Sequence, residues 1–255
     1  MDDRLNKRMA MLSREVAEVR IYEETDSTNS EAKRYAVSGG RAPALFLADR
    51  QTAGRGRLGR SFYSPEGTGL YMSLLLPAKA ELTDTVLMTS AAAVAVRRAI
   101  LSVTGIDTGI KWVNDLYLDG RKVCGILCEL LGTEKMIIVG VGINLSDGGF
   151  PEDIAHIAGS LGITDPDGAL RDTLAARCVK ELTSVWETLG DGDLIDEYKK
   201  HSTILGNEVI YTENGVSRSG LAVDIDSRGR LIIEDAEGIN RVLASGEISV
   251  RPSKR

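Results

Sequence analysis

Histidine is scarce in this chain. His156 and His201 are the only two in 255 residues. Neither stands at a metal-ligand spacing from a second His or from a Cys. That removes most of the ground for His-based zinc sites, Ser–His hydrolysis and Cys–His catalysis. Cysteine is nearly as scarce. Cys124, Cys128 and Cys178 are odd in number and form no C-x-x-C. They read as buried structural thiols in a reducing compartment rather than a disulfide framework, and no metal site is expected. The first twenty residues lack an apolar h-region, so no secretory signal is read there. No uninterrupted apolar run approaches the roughly 18 residues of a membrane span. A basic excess is also missing: 31 Lys+Arg against 37 Asp+Glu leave a net charge of −6, the wrong sign for binding nucleic acid over the whole surface. These absences predict a cytoplasmic chain with neither a membrane nor a nucleic acid as partner. If the chain is an enzyme, its chemistry must rest on positioning and positive charge.

Hydrophobic residues make up 43% and charged residues 27%, enough apolar surface for a substantial core and too ordered a balance for disorder. The length suits one large domain with a small appendage. The spacing predicts a helix over 4–17, a strand over 19–22, a helix over 28–38, a strand over 44–49, a long Gly/Arg loop to about 68 and a strand over 70–76. An alanine-rich helix follows over 84–103. Short strands at 109–113 and 116–118 lead to Asp119-Gly120, a strong hairpin signal, then strands at 123–130 and 135–143. Residues 151–203 read as helical, with Leu170, Leu174, Cys178, Leu182, Val185 and Leu189 as one apolar stripe. From Gly206 the period becomes two, with strands at 208–211, 220–225, 230–234, 241–243 and 248–250. Asn214-Gly215, Arg228-Gly229 and Glu237-Gly238 mark the turns. The fold class expected is α+β: a mixed or antiparallel sheet with helices on one face, over 1–203 with an N-terminal helix within 1–19, then a small SH3-like barrel over 204–255.

One loop stands out. Gln51-Thr52-Ala53-Gly54-Arg55-Gly56-Arg57-Leu58-Gly59-Arg60 sets arginines and glycines together in an acidic protein. Glycine lets backbone N–H groups close around an anion, and arginine supplies forked, permanently charged donors. The loop reads as a phosphate site, a solvated basic loop or an RGG-like nucleic-acid contact. Its spacing matches neither a P-loop nor a dinucleotide fingerprint. Ser27-Thr28-Asn29 precedes a helix, and Thr28 with Glu31 has capping-box spacing. The group serves as a cap or as a cluster of small polar groups for a polar ring. Lys111-Trp112-Val113-Asn114-Asp115 and Arg121-Lys122 place cations on both sides of a hairpin, as solvated charges or as anion contacts. Gly140-Val141-Gly142-Ile143-Asn144 lacks a third glycine and reads equally as close sheet packing.

Asp26–Asn29, the 51–60 loop with Ser64-Pro65 and Gly69-Leu70-Tyr71, the Lys111–Leu118 block, the Arg121–Leu130 run and the Gly140–Leu145 run together resemble the biotin–protein ligases of the BirA type, in that order. The resemblance covers about residues 20–254. Only about 20 residues precede the core, so it is to the short class without a DNA-binding module. It implies a catalytic domain followed by the SH3-like barrel, ATP, biotin and Mg²⁺ as cofactors, and a biotin carboxyl carrier protein as partner. The reaction implied is adenylation of biotin to biotinyl-5'-AMP, then transfer to a carrier lysine. Whether the chain is a monomer or a homodimer stays open.

By resemblance, Ser27, Thr28, Asn29 and Gln51 hold biotin's ureido ring, while Arg55, Gly56 and Arg57 close over biotin and the adenylate. Lys122 meets the carboxylate, and Arg57 with Lys122 carries the catalysis. Gly54, Arg55, Arg57, Arg60, Phe62, Asn114 and Arg251 are expected on the nucleotide side. Two positions depart from the family pattern. Phe62 stands where tryptophan is frequent, keeping an aromatic face but not an indole donor, and Val113 stands where proline is common. The alternatives are a lipoate or octanoate ligase, whose apolar substrate tail suits the Ser27–Asn29 cluster less well, and a non-enzymatic nucleic-acid module using the Gly/Arg loop.

Overall fold

The structure, a computed structural model, describes residues 9–14, 16–79, 85–189, 193–213 and 216–244, with the backbone of 248–250. Seven strands form the first sheet: β1 (Glu18–Thr25), β2 (Ala44–Gln51), β3 (Gly69–Pro77), β4 (Gly109–Lys111), β5 (Asp115–Leu118), β6 (Arg121–Leu131) and β7 (Met136–Asn144). Their spatial order is β1-β2-β3-β7-β6-β5-β4. β1 and β2 run parallel and the other neighbours antiparallel, so the sheet is mixed, as expected. Asp119 and Gly120 both take positive φ, 50° and 75°, the conformation a two-residue hairpin turn demands.

Side-chain alternation along the strands splits the core in two. Leu45 and Leu47 of β2 and Leu70, Met72, Leu74 and Leu76 of β3 join the main core with helices α2 (Val86–Thr104), α3 (Ala169–Glu187) and α4 (Asp193–Lys200). On the other face, Ala44, Phe46 and Leu75 meet Ala32 and Ala36 of the short helix α1 (Thr28–Val37). Three helices thus form the expected layer, and α1 adds cover to the opposite face. α2 has mean hydropathy 1.6, long and apolar enough to cross a membrane, but 67% of that stretch is buried inside the molecule. It is a core helix, ended by Gly105 at φ 75°. The stripe on α3 is buried from Leu174 to Val185. All three cysteines are unpaired and buried. Burial pushes the Cys128 and Cys178 thiols up to about 12 and raises Cys124 as well.

Two expectations need correction. Residues 9–12 are helical, but 13–14 already turn and 16–17 are not helical; the rest of the expected 4–17 helix lies outside the described residues. More consequentially, 151–168 is not a helix. Residues 152–157 are tight turns and 159–165 have no regular secondary structure. Lys122 donates its N–H to Ile157 O at 2.8 Å, and Gly159 donates to Lys122 O at 2.8 Å. Pairing with the start of β6 satisfies this backbone, and the positive φ of Gly162 and Gly168 breaks any helical run.

The second sheet is antiparallel, β11-β10-β9-β8-β12, from β8 (Glu208–Glu213), β9 (Val216–Ile225), β10 (Leu231–Glu234), β11 (Asn240–Leu243) and β12 (Ile248–Val250). Val209, Tyr211, Ala222, Ile225, Leu231, Ile233 and Leu243 line its inside. Gly229 and Gly238 turn at φ 78° and 75°; Asn214-Gly215 lies outside the described residues. The two sheets are tied by Trp112 Nε1 donating to Gly229 O at 2.9 Å and by Lys199 Nζ, 2.7 Å from Asp224 Oδ1.

Candidate active site

A cavity of about 430 Å³ opens where the 51–64 loop, the start of α1, the β4–β5 turn and strands β6 and β7 converge. It gathers Ser27, Thr28, Asn29, Gln51, Arg55, Gly56, Arg57, Arg60, Phe62, Asn114 and Lys122 on one wall or another. Two expected residues are not there. Gly54 does not line the cavity. A Cβ at that position would lie 2.4 Å from Phe62 O and 2.7 Å from Ser64 Oγ, and its carbonyl accepts the Phe62 N–H at 2.9 Å. Gly54 is therefore glycine for the crossing at the loop's neck. Arg251 lies outside the described residues.

One end of the cavity is a closed polar network. The helix cap is Ser27, extended at φ −163° and without a side-chain cap bond. Thr28 is the first helical residue, so the expected Thr28–Glu31 capping box is not formed. The Thr28 N–H, unsatisfied within the helix, goes instead to Gln51 Oε1 at 2.8 Å. Gln51 Nε2 donates to Ser64 Oγ at 2.9 Å. Ser73 Oγ, in the middle of β3, lies 2.7 Å from Thr28 Oγ1 and 2.6 Å from Asn29 Oδ1. Asn29 Nδ2 donates to Glu129 Oε2 at 2.8 Å. Glu31, the expected box partner, bonds Thr25 and Arg34 instead.

The other end is cationic. Lys122 Nζ lies 2.7 Å from Asp115 Oδ1 and 6.0 Å from the centre of the Phe62 ring. Lys111 Nζ sits 3.3 Å from Tyr117 Oη. Burial lowers the Lys111 ammonium, with Lys122 and Arg60 adding to the effect and Asp115 opposing it. Arg57 Nη1 donates to Asn114 Oδ1 at 3.3 Å, and burial lowers its guanidinium, again against Asp115. Asn114 Nδ2 is held by Ile126 O at 2.9 Å. Arg55 turns the other way, 3.1 Å from Glu129 Oε1. The Trp112–Val113 peptide is cis.

Glycines on the central strands make room between the ends. A Cβ on Gly142 would lie 2.5 Å from the Phe62 ring, one on Gly125 3.1 Å from Lys122 Nζ, and one on Gly140 2.1 Å from Asn29 Oδ1. Close packing thus accounts for Gly140 and Gly142. Sequence reasoning missed Ser73 and Glu129, and it named Ser64 and Asp115 within motifs without giving them a role. Ser73 left one signal, a polar residue in the otherwise apolar run of β3. Glu129 left none, since its partners lie 74 and 100 residues away.

A polar pocket braced by hydrogen bonds among Thr28, Asn29, Gln51 and Ser73 and joined to a cluster of cations suits a small molecule with a polar head and an anionic tail, handled beside further anions. The comparisons narrow this class. Residues 22–144 match the Biotin/lipoate A/B protein ligase family, and 204–251 match the Biotin protein ligase C terminal domain. The bifunctional ligase/repressor BirA of Bacillus spizizenii is 34% identical over 237 residues, 88% of this chain and 72% of that protein. The biotin--[acetyl-CoA-carboxylase] ligase of Paracoccus denitrificans is 32% identical over 88% of this chain and 97% of its own. The biotin protein ligase of Aquifex aeolicus in complex with biotin and ATP superposes with a TM-score of 0.77 at 30% identity, covering 93% of this chain and all of that one. This chain belongs to the biotin protein ligase family.

Proposed function

We infer that this chain is an ATP-dependent ligase that converts biotin to biotinyl-5'-AMP and passes the biotinyl group to a lysine of a biotin carboxyl carrier protein, the carrier of acetyl-CoA carboxylase or one like it. The observation that carries this reading is the two-ended cavity. In the first step a carboxylate attacks the α-phosphate of ATP and pyrophosphate leaves. The nucleophile is already an anion, so no base is needed, consistent with a cavity that no histidine lines. What the step requires is relief of repulsion between two anions held in line. In this reading Lys122 meets the carboxylate, Arg57 the phosphate it attacks, and Arg60 and Lys111 the remaining charge, a division supported by the cations that line one end of the cavity. Phe62, backed by Tyr71 at 6.4 Å, offers a flat apolar face. Ser27 presents a hydroxyl without a cap bond to a ureido ring, with Thr28, Asn29 and Gln51 holding the pocket's shape behind it. In the second step a lysine amine displaces AMP from the mixed anhydride.

Among the described residues no three His, Cys, Asp or Glu side chains come together as a metal cage. Mg²⁺ therefore enters this reading with the phosphates of ATP, and no step is assigned to it. The division near residue 204 is supported by the change of sheet between α4 and β8. A cytoplasmic setting is supported by three unpaired, buried thiols.

The test is ATP–pyrophosphate exchange with biotin present and absent, and with lipoate in its place. Exchange that depends on biotin and not on lipoate is expected. Exchange indifferent to biotin overturns the reading.

A further inference from the structure

We propose that Glu129 is a positioning residue for this reaction, one carboxylate that fastens both the floor of the polar pocket and the Gly/Arg loop above it. The proposal rests on the ligase reading for its kinetic consequences and on geometry alone for the fastening.

Glu129 lies on β6 with its side chain only 22% exposed. Its Oε2 accepts from Asn29 Nδ2 at 2.8 Å, while Arg55 Nη1 lies 3.1 Å from Oε1 and 3.3 Å from Oε2. A carboxylate only accepts hydrogen bonds. Together with the longer bond from Asn29 Nδ2 to Leu127 O at 3.4 Å, it turns the Asn29 amide N–H₂ toward β6 and its Oδ1 toward Ser73, 2.6 Å away. The Ser73 hydroxyl in turn touches Thr28 Oγ1 at 2.7 Å. Glu129 thus sets the orientation of a chain of groups that ends at the helix start beneath the ligand.

Its second partner is the loop. Arg55 begins the 55–60 turn, whose own bonds, Gly56 N–H to Arg60 O at 2.7 Å and Arg60 N–H to Arg57 O at 3.1 Å, are internal to it. They shape the turn without placing it. Packing does not place it either. Behind the loop is a second cavity of about 230 Å³, lined by Arg55, Arg57, Leu58, Thr85, Thr89 and Glu129. At the loop's tip Leu58 is 66% exposed with φ 56°. A backbone with empty space behind it and solvent at its tip is positioned by its side-chain ties; Arg57 donates to Asn114 Oδ1 at 3.3 Å within the turn, and Arg55–Glu129 is an ion pair at its start. Without it the turn has room to move back, carrying Arg57 and Gly56 away from the ligand. The Arg55 side chain is thereby an anchor for the loop.

The experiment compares the full-length wild type with Glu129→Gln, Arg55→Gln and the double variant. Glutamine keeps the shape and an acceptor for Asn29 but removes the charge that holds Arg55. The expected result for Glu129→Gln is a roughly tenfold rise in biotin KM and a similar shortening of bound biotinyl-adenylate lifetime. ATP KM and melting temperature should stay near wild type. The double variant should be no worse than the worse single one. Limited trypsin cleavage after Arg57 or Arg60 in the unliganded protein should speed up about tenfold, a readout that does not depend on ligation. Equal changes in biotin and ATP KM, additive effects in the double variant, or unchanged loop cleavage would each overturn the proposal. Should the wild type show no biotin-dependent exchange, the ligase reading falls while loop cleavage still decides whether Glu129 holds the loop.

Discussion

The polar end and the cationic end of the cavity are built on opposite principles. At the polar end, Thr28 and Asn29 are 3% and 4% exposed, and their polar atoms are spent on Gln51, Ser73 and Glu129. Nothing there needs to move when a ring arrives, which is how a site avoids reorganisation at the moment of binding. At the cationic end, Lys122, Lys111 and Arg57 surround Asp115, and burial weakens the hold of Lys111 and Arg57 on their protons. That end gains when anions enter, because each one offsets charge the fold has crowded together. One end gives shape and the other gives drive, and substitutions should separate the two.

The largest effect is expected from Gly140→Ala. The new Cβ would sit 2.1 Å from Asn29 Oδ1, and Asn29 is held from both sides, so it cannot step aside without losing bonds. Overpacking costs about 1–3 kcal/mol and each displaced buried hydrogen bond about 1 kcal/mol more. Biotin-dependent exchange should fall more than about 100-fold together with the melting temperature. Normal exchange would mean the polar end is looser than its bonding implies.

Lys122→Ala breaks the other end. Lys122 is partly exposed, so the lower part of the roughly 1.5–3 kcal/mol range for a charged hydrogen bond applies. Biotin KM should rise roughly 10- to 30-fold while the melting temperature barely changes, the reverse coupling to Gly140→Ala. A KM within about threefold of wild type would reduce Lys122 to a surface charge.

Trp112→Phe tests how far the cationic end leans on the second sheet. It removes the indole donor to Gly229 O and part of a buried ring. The lost hydrogen bond alone, about 1 kcal/mol, should lower the melting temperature by roughly 2–4 °C in a chain of this size, and the lost ring volume adds to that. Activity should stay within about threefold, and an unchanged melting temperature would show that the link contributes nothing.

The smallest effect concerns pH. Burial lowers Lys111 below an ordinary lysine, so its charged form is depleted earlier as pH rises. ATP KM should therefore begin to climb at a lower pH than the titration of an ordinary lysine, at about 10.4, would produce. Lys111→Arg, charged throughout, should flatten that climb. A wild-type profile as flat as the variant's would remove Lys111 from the nucleotide end.

Reading by neighbours succeeded where neighbours decide. The period-two strands from 208 onward, the Asp119-Gly120 turn, the α3 stripe and the Gly/Arg loop are local patterns, set by backbone sterics and by which face of an element is apolar. The failures share one cause. Residues 151–168 contain turns and apolar positions compatible with a helix, but β6 offered their backbone a better partner. The helix begins at Thr28 as expected, but the Thr28–Glu31 capping box does not form, because Gln51, 23 residues away, takes the Thr28 N–H and Glu31 bonds Thr25 and Arg34.

By itself, then, the sequence determined the α+β pattern, the change to a small β-rich unit near residue 204, and the presence of an anion-seeking loop in an acidic chain. Spacing and composition are properties of the chain that folding does not alter. Only the tertiary structure decided that Glu129 and Ser73 belong to the site, that Arg55 faces Glu129 instead of the cavity's cations, and that three glycines of β6 and β7 are there for Lys122, Phe62 and Asn29. Those facts depend on distances between residues far apart in the chain, and such distances exist only once β3, β6 and β7 lie side by side beneath α1.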